Sequence, residues 1–378
     1  MWCRHIKSHG NEGNNGNALQ DSASTSNCKL REMMSLWEKL YPSTRQDHGL
    51  KVFRKLLQMP LESLTTFEVK FSKMPTPAHL FRDLFADDGL QYKSCLNERD
   101  EGYQTDFIAA WAALEKDPGA NINDRIQIPY FVIGVKASEN GLLDCGVELP
   151  DFLQRLDVYI SPVTHGEELS LEKRNDPPLL HSIITPAGKI ADIHDDSAIS
   201  ASMLVQLYGY KVLLSWPGIQ TNRDYFGNFH GVVGHDLQIF EAIKRMSGLK
   251  VTILSPGVGV KLRPGMIHAV LSPNNSAIAC WEYVDAQWLG NDDIEKGGLW
   301  ELDLLAKRAR AELRVDEKVE NMYRQLKYGV SLWRCPEEQL IEEGGEDEDV
   351  RHQVNQIQRL VAALEPRIPK SKGRAGIE

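Results

Sequence analysis

The sequence predicts a mainly β core with α flanks, and three observations carry that expectation. From about Ile126 to Leu271 the chain is a series of short β-branched or aromatic runs separated by Pro, Gly, Asn and Asp turns. Regular helical patterns are missing between most of these runs, which favours an antiparallel sandwich or barrel over a parallel sheet. The segments before and after them instead space their apolar residues as helices do. With 378 residues the chain is long enough for one decorated domain or two, and for a core that needs no disulfide staples.

Taken in order, residues 10–29 (GNEGNNGNALQDSASTSNCK) are rich in Gly, Asn and Ser. They offer little apolar surface to offset ordering entropy, so residues 1–29 are expected to be a disordered tail. Met33, Leu36, Trp37 and Leu40 then recur at helical spacing, and Pro42-Ser43 ends that helix. A second helix is expected from His48 to Met59. A third runs from Thr105, its N-cap, to Lys116, before the stop Asp117-Pro118-Gly119. Residues 30–125 thus form a helical N-terminal region.

The β core is expected over 126–290, with runs at Ile128 to Val135, Val158 to Ile160, His181 to Thr185, Ala191 to His194 and Met203 to Tyr208. It continues at Val212 to Trp216, Val251 to Leu254, Val258 to Leu262 and Ile267 to Leu271. An insertion at 217–250 holds a helix from about His235 to Met246. Residues 291–378 form a helical C-terminal extension. Leu302, Leu305, Ala309 and Leu313 share one helical face there, and a second run lies near Val315 to Leu326. The acidic linker Glu342 to Asp349 (EEGGEDED) precedes a last helix from about Val354 to Leu364.

Composition excludes several classes. Lys plus Arg number 43 against 53 Asp plus Glu, for a net charge of −10. Nonspecific nucleic-acid affinity comes from cations neutralising phosphates, so direct nucleic-acid binding is not expected. No apolar run approaches the roughly 18 residues a membrane helix needs. The opening MWCRHIKSHGNEG lacks a signal-peptide apolar region. Six cysteines without a CxxC pair argue against a disulfide framework and a cysteine zinc site. A reducing compartment, nucleus or cytoplasm, is the expectation.

Chemistry concentrates at Asp192-Ile193-His194-Asp195-Asp196 and, far downstream, at Arg263-Pro264-Gly265-Met266-Ile267-His268. Alternate residues of a strand share a face, so His194 and Asp196 can aim into a barrel while Asp195 aims away. A His-x-Asp pair plus one distant His has the composition of a facial triad that leaves open positions on Fe(II). His268 supplies the third ligand if Arg263-Pro264-Gly265 makes a tight turn, with Gly at positive φ, between two strands. An isolated HxD carries little weight in a chain with 11 histidines.

Further residues give the pair a context. After His194 the chain continues DDSAISASMLVQLYGYKVLLSWPG, with Gly209-Tyr210-Lys211 running into the apolar run Val212 to Trp216 and Pro217. Together with LRPGMIH, this resembles the JmjC (Jumonji C) family of Fe(II)- and 2-oxoglutarate-dependent oxygenases over about residues 180–285. The resemblance implies a double-stranded β-helix (jelly-roll, cupin-like) core with a helical N-terminal region and a helical C-terminal extension. It implies Fe(II) held by His194, Asp196 and His268, which serve as both metal ligands and catalytic residues. Lys211 would pair with the distal carboxylate of the co-substrate 2-oxoglutarate. It also implies hydroxylation or N-demethylation of a protein substrate, with release of succinate and CO2.

The chain departs from the family pattern at Ala191, three positions before His194, where relatives often place a hydroxyl residue. Ser202 occupies roughly the place of another polar co-substrate contact, and Thr185 or Tyr208 offers compensation. The downstream position where relatives often carry Asn falls near Trp281-Glu282. His230 and His235 read as surface or substrate-rim residues, Asp192 as a partner of His194 or a solvent-facing strand end, and Trp281, Tyr283 and Trp288 as packing residues. A protein or peptide substrate is expected, a basic histone-like segment among the options given the acidic balance. Two alternatives stay open: a catalytically inactive JmjC-fold binding or regulatory module, chromatin-associated in one version, and a cupin holding Mn or Zn, which leaves Lys211 without a role.

Overall fold

Two antiparallel sheets carry the described residues, which in this computed structural model are 17–40, 48–69, 92–94, 131–135, 151–155, 157–160, 180–185, 187–227, 237–291, 293–311, 326–344 and 348–368. The strands are β1 (Thr66–Glu68), β2 (Tyr92–Ser94), β3 (Phe131–Val135), β4 (Val158–Ile160), β5 (Leu180–Thr185), β6 (Lys189–His194), β7 (Ala201–Tyr208), β8 (Lys211–Trp216), β9 (Lys250–Leu254), β10 (Val258–Leu262), β11 (Ile267–Ser272) and β12 (Ser276–Asp285). The larger sheet has the order β1-β10-β7-β12-β5-β3-β2, with β4 on β12, and the smaller one the order β6-β11-β8-β9. From β5 onward, successive strands alternate between the sheets, except that β8 and β9 pair with each other across the insertion.

Burial follows from this arrangement. β7 and β8 are buried almost throughout, with Ser202, Gln206, Lys211 and Ser215 as the buried polar exceptions among apolar residues. The inner faces meet at Leu204, Leu213, Leu254, Val260, Leu262 and Ile278. The outer face of the smaller sheet, with Val212, Leu214, Trp216, Ile267, Ala269 and Leu271, is covered by α1 (Asn17–Leu40), α2 (His48–Leu56) and α4 (Leu237–Arg245). A third core joins Ala198, Ile199 and Val284 to α5 (Asp293–Ala311), the helical residues 326–332, α6 (Arg334–Gly344) and α7 (Glu348–Leu364). There the Trp333 indole donates to the Ile199 carbonyl at 2.8 Å. Among the described residues no helix is long and apolar enough to cross a membrane.

Several expectations need correction. Residues 17–29 are helical, not a disordered tail, because α1 starts at Asn17. Leu30, Met33 and Trp37 are buried against the smaller sheet's helical cover, and once such a face is anchored each added turn extends the helix at little cost. Residues 1–16 and the expected helix from Thr105 to Lys116 lie outside the described residues. The insertion carries an additional helix, α3 (Gln220–Gly227), before α4. Most of the acidic linker is helical: Glu342 and Glu343 close α6, and Glu348 and Asp349 open α7, where carboxylates complement the helix dipole. Strand β12, central in the larger sheet between β7 and β5, was not anticipated. Its Ile278, Trp281, Tyr283 and Val284 favour a strand, but Ala277, Ala279 and Glu282 dilute the pattern, and pairing on both edges fixes it.

Helices α1 and α2 meet through Trp37, whose ring lies 5.7 Å from that of Phe53. A Cβ at Gly49 would lie 2.3 Å from the Trp37 ring. Helix propensity alone favours Gly49→Ala by about 1 kcal/mol, but overpacking of this kind costs roughly 1–3 kcal/mol. Gly49→Ala is therefore expected to lower the urea-unfolding midpoint, and a raised midpoint would contradict this packing.

Candidate metal centre

Strand pairing builds the site. In the smaller sheet β11 pairs with β6 so that His268 faces His194, while Val270 faces Ala191. Two residues on β11 thus span three on β6, a bulge that resets the side-chain alternation. Ile193 consequently joins the outer core and His194 turns to the opposite face. The chain leaves β6 immediately afterwards. Ser197 Oγ accepts from the amides of Ile199 and Ser200 at 3.2 Å each, which shapes the loop carrying Asp196.

The second ligand-bearing segment is the turn before β11. Met266 N donates to Arg263 O at 3.1 Å, and Gly265 sits at φ 65°, the left-handed conformation expected from the Pro-Gly pair. Gly265 N donates to Ser197 O at 2.7 Å, so turn and loop are tied directly.

His194, Asp196 and His268 come together, each offering an atom within 4.8 Å of the others. Asp196 Oδ1 is 3.8 Å from His194 Nε2 and 3.8 Å from His268 Nε2. The imidazole rings lie 4.1 Å apart at 50°. Adjacent facial ligands about 2.1 Å from a metal are roughly 3 Å apart, so side-chain rotations of under about 1 Å would close the set on an ion. His268 Nδ1 donates to the Met266 carbonyl at 3.1 Å, which leaves Nε2 with its lone pair toward Asp196. Burial, then the charge of His194, lowers the His268 pKa to about 4, so the ring is neutral and able to ligate at pH 7. This group can hold a metal, and its residues fit one by donor type, tautomer and spacing.

Asp195 is not part of this group, and since β6 ends at His194 strand parity does not reach it. Burial raises its carboxyl to about 6, opposed first by the charge of His194 and reinforced by that of Asp196. Glu301, on α5, is raised by burial and by Asp195 to about 8, and it accepts from the Ala198 amide at 3.3 Å. Glu301 was not foreseen, since it lies in a pattern readable only as helix face.

Lys211, the first residue of β8, is 4% exposed. It shares the inner face with Leu213 and Ser215. Its Nζ donates to Thr185 Oγ1 at 2.8 Å, so the structure joins these two expected co-substrate residues. Ser215 lies opposite His268, and Ser276 lies opposite Thr185. Ser272 stands one residue beyond the Leu271–Val212 pair, next to Lys211. The hydroxyls of Ser215, Ser272 and Ser276 and the amide oxygen of Gln206 are buried without a hydrogen-bond partner. Buried polar groups left in this state normally mark a place for water, an ion or a ligand.

Ser202 does not join that chamber. It faces Glu282 on β12, six residues or about 20 Å along the strand from Ser276. It lies near Cys280, whose thiol pKa is raised by burial first and then by the charges of Asp196 and Glu282. Ser202 thus belongs to the triad's end. There Ser200 Oγ donates to the buried Glu282 carboxylate. Ala191 brings no polar group to the site, and Tyr208 is half-buried opposite Ala277. Tyr283 packs between Phe152 and Trp288, in keeping with a packing role. His230, His235 and the Asp192 side chain lie outside the described residues.

No family model and no curated protein matches the chain. One solved structure, of Drosophila melanogaster CENP-C bound to CAL1, is similar to it at 10% identity with a TM-score of 0.19. The match covers 27% of this chain and spans 60% of that one. Similarity of that size carries no argument about fold or function.

Burial lowers the Lys211 pKa from 10.5 to about 7. Between these values the folded chain binds fewer protons than the unfolded chain, so this group makes stability rise with pH, and its penalty is full below about 7. Lys211→Met is expected to stabilise the ligand-free protein by about 1–3 kcal/mol at pH 6, and by less at pH 9. Urea unfolding at the two pH values checks this, and a destabilised variant at pH 6 would contradict it.

Proposed function

We propose that the protein is a JmjC-type Fe(II)- and 2-oxoglutarate-dependent dioxygenase built on a double-stranded β-helix. The strand order supports this reading, because β6-β11-β8-β9 opposing β10-β7-β12-β5 gives the two four-stranded faces of such a jelly roll. One observation carries it furthest: a buried lysine beside buried hydroxyls on the inner face, on the strand next to the one that carries His268.

His194, Asp196 and His268 would hold the iron. When bound, the metal supplies open positions at which 2-oxoglutarate and dioxygen react to give succinate, CO2 and an oxygenated substrate C–H bond. The other tasks fall to this chain. Lys211 and Thr185 receive the distal carboxylate of the co-substrate, while Ser215 and Ser272 offer donors along the way. Lys211 and the position opposite His268 are four residues apart on β8, about 13 Å of strand. A neutral, buried His268 keeps its lone pair for the metal, while the half-exposed His194 and Asp196 leave the metal position open to solvent and substrate.

The substrate is proposed to be a protein or basic peptide, histone-like segments included, in the nucleus or cytoplasm; the net charge of −10 supports a basic partner. Hydroxylation and N-demethylation are one reaction on different C–H bonds. Ala191 favours a second reading, a catalytically silent binding module, because it leaves the co-substrate one hydroxyl short. A Mn or Zn cupin explains Lys211 less well.

Purified protein with Fe(II), ascorbate and 2-oxoglutarate is expected to release succinate, and His194→Ala or Asp196→Ala to reduce this at least 100-fold (about 2.7 kcal/mol). No succinate above the variant background, together with no 2-oxoglutarate binding, would leave the silent module. Because Lys211 must take up a proton to hold a carboxylate above about pH 7, co-substrate affinity is expected to fall by up to about tenfold per pH unit there. Calorimetric titration between pH 6.5 and 8.5 measures this. A flat profile would mean that Lys211 is not the anchor.

A further inference from the structure

Three connections that carry the chain from one sheet to the other meet at the Lys211 end of the fold. They run from β5 to β6 through Ala187-Gly188, from β7 to β8 through Gly209-Tyr210, and from β11 to β12 through Pro273-Asn274-Asn275. The adjacent asparagines of the last connection hold the other two. Asn274 Oδ1 accepts from Tyr210 N at 2.8 Å, and Asn275 Oδ1 accepts from Ala187 N at 2.9 Å. Gly188 N also donates to Ser272 O at 2.8 Å. The junction is tight: Gly209 sits at φ 67°, and a Cβ there would lie 2.1 Å from Asn275 O. Tyr210 directly precedes Lys211, and Ala187 follows Thr185 by two residues. The two amides held by the asparagines therefore flank, on different sheets, the buried pair in which Lys211 Nζ donates to Thr185 Oγ1 at 2.8 Å. An ammonium on a flexible four-carbon stem has no fixed geometry of its own, so its place is set by the strand ends that carry it and its partner.

We propose that Asn274 and Asn275 are positioning residues that clamp the start of β8 to the end of β5 and so fix the Lys211 ammonium between the sheets. Along β8, strand geometry already sets the distance from Lys211 to Ser215, which faces His268. The clamp sets the remaining direction, across the sheets toward Thr185. Both asparagines act through Lys211 and Thr185 and need not touch a ligand. The purpose of the clamp rests on the co-substrate reading above, although the clamp itself can be measured without co-substrate or metal.

Asn274→Ala and Asn275→Ala each remove one acceptor from the full chain, and Gly49→Ala, which disturbs the distant contact of α1 with α2, controls for lost stability. With isotope-labelled lysine followed by NMR, Lys211 is expected to titrate at about 7 in the wild type and in Gly49→Ala. In each asparagine variant it should titrate about one pH unit higher or more, as the loosened ammonium gains water. In anaerobic, Fe(II)-loaded protein the asparagine variants should bind 2-oxoglutarate about 3–10-fold more weakly, with Fe(II) affinity unchanged. Lys211 titrating alike in the wild type and both asparagine variants overturns the clamp, even if the variants are less stable. So does a wild-type Lys211 already titrating near 10.5, or an equal rise in Gly49→Ala. A raised titration with unchanged 2-oxoglutarate affinity keeps the clamp and overturns its purpose. If the wild type binds no 2-oxoglutarate, the co-substrate reading falls and the Lys211 titration alone decides the clamp: raised in the asparagine variants, it stands; unchanged, it fails.

Discussion

The register between β6 and β11 is the constraint on which the site depends. A one-residue slip in a strand exchanges its faces, and here a single extra residue on β6 places His194 opposite His268 while leaving Ile193 in the outer core. Helices α1, α2 and α4 cover that outer core. The apolar packing of the N-terminal helices is thus coupled, through one bulge, to the orientation of two imidazoles. Sequence, packing and chemistry meet at one strand pair.

Around that pair the protein keeps polar groups where a plain two-sheet core would have aliphatic ones. Lys211, Thr185, Ser215, Ser272 and Ser276 line the inner face alongside Leu213, Val270 and Ile278. Burying a lysine costs stability, and its pKa, depressed to about 7, shows that cost. A carboxylate ligand would offset it by pairing with the ammonium. The donor-rich chamber and the His-Asp-His group occupy neighbouring positions on β8 and β11, an arrangement suited to a small dicarboxylate reaching from one to the other.

Much of this could be read from residue order. The runs from Val158 to Leu271 have high β propensity and clear turn punctuation, so their strands fall within a few residues of the expected positions. The His194-Asp196-His268 group was legible because HxD and Pro-Gly-x-x-His are local patterns that put these residues at the ends of adjacent strands. What escaped was non-local. Strand β12 owes its length and central place to two partners, because Ala277, Ala279 and Glu282 dilute the β pattern of its Ile278, Trp281, Tyr283 and Val284. α1 runs N-terminally through Ser and Asn that favour no helix alone. The placing of Ser202 at the triad's end depends on register in the larger sheet, and the bonds of Asn274 and Asn275 to Tyr210 and Ala187 depend on turns from three distant segments.

The most direct measurement is anaerobic absorption spectroscopy. Fe(II) and then 2-oxoglutarate are added to the protein and to Lys211→Met, Asp196→Ala and His268→Ala. A visible metal-to-ligand charge-transfer band is expected in the wild type, saturating at one equivalent of each. It should need a higher 2-oxoglutarate concentration in Lys211→Met and vanish in the two ligand variants. A wild-type protein without the band, or a band that survives in Asp196→Ala and His268→Ala, would contradict iron and 2-oxoglutarate binding at this site.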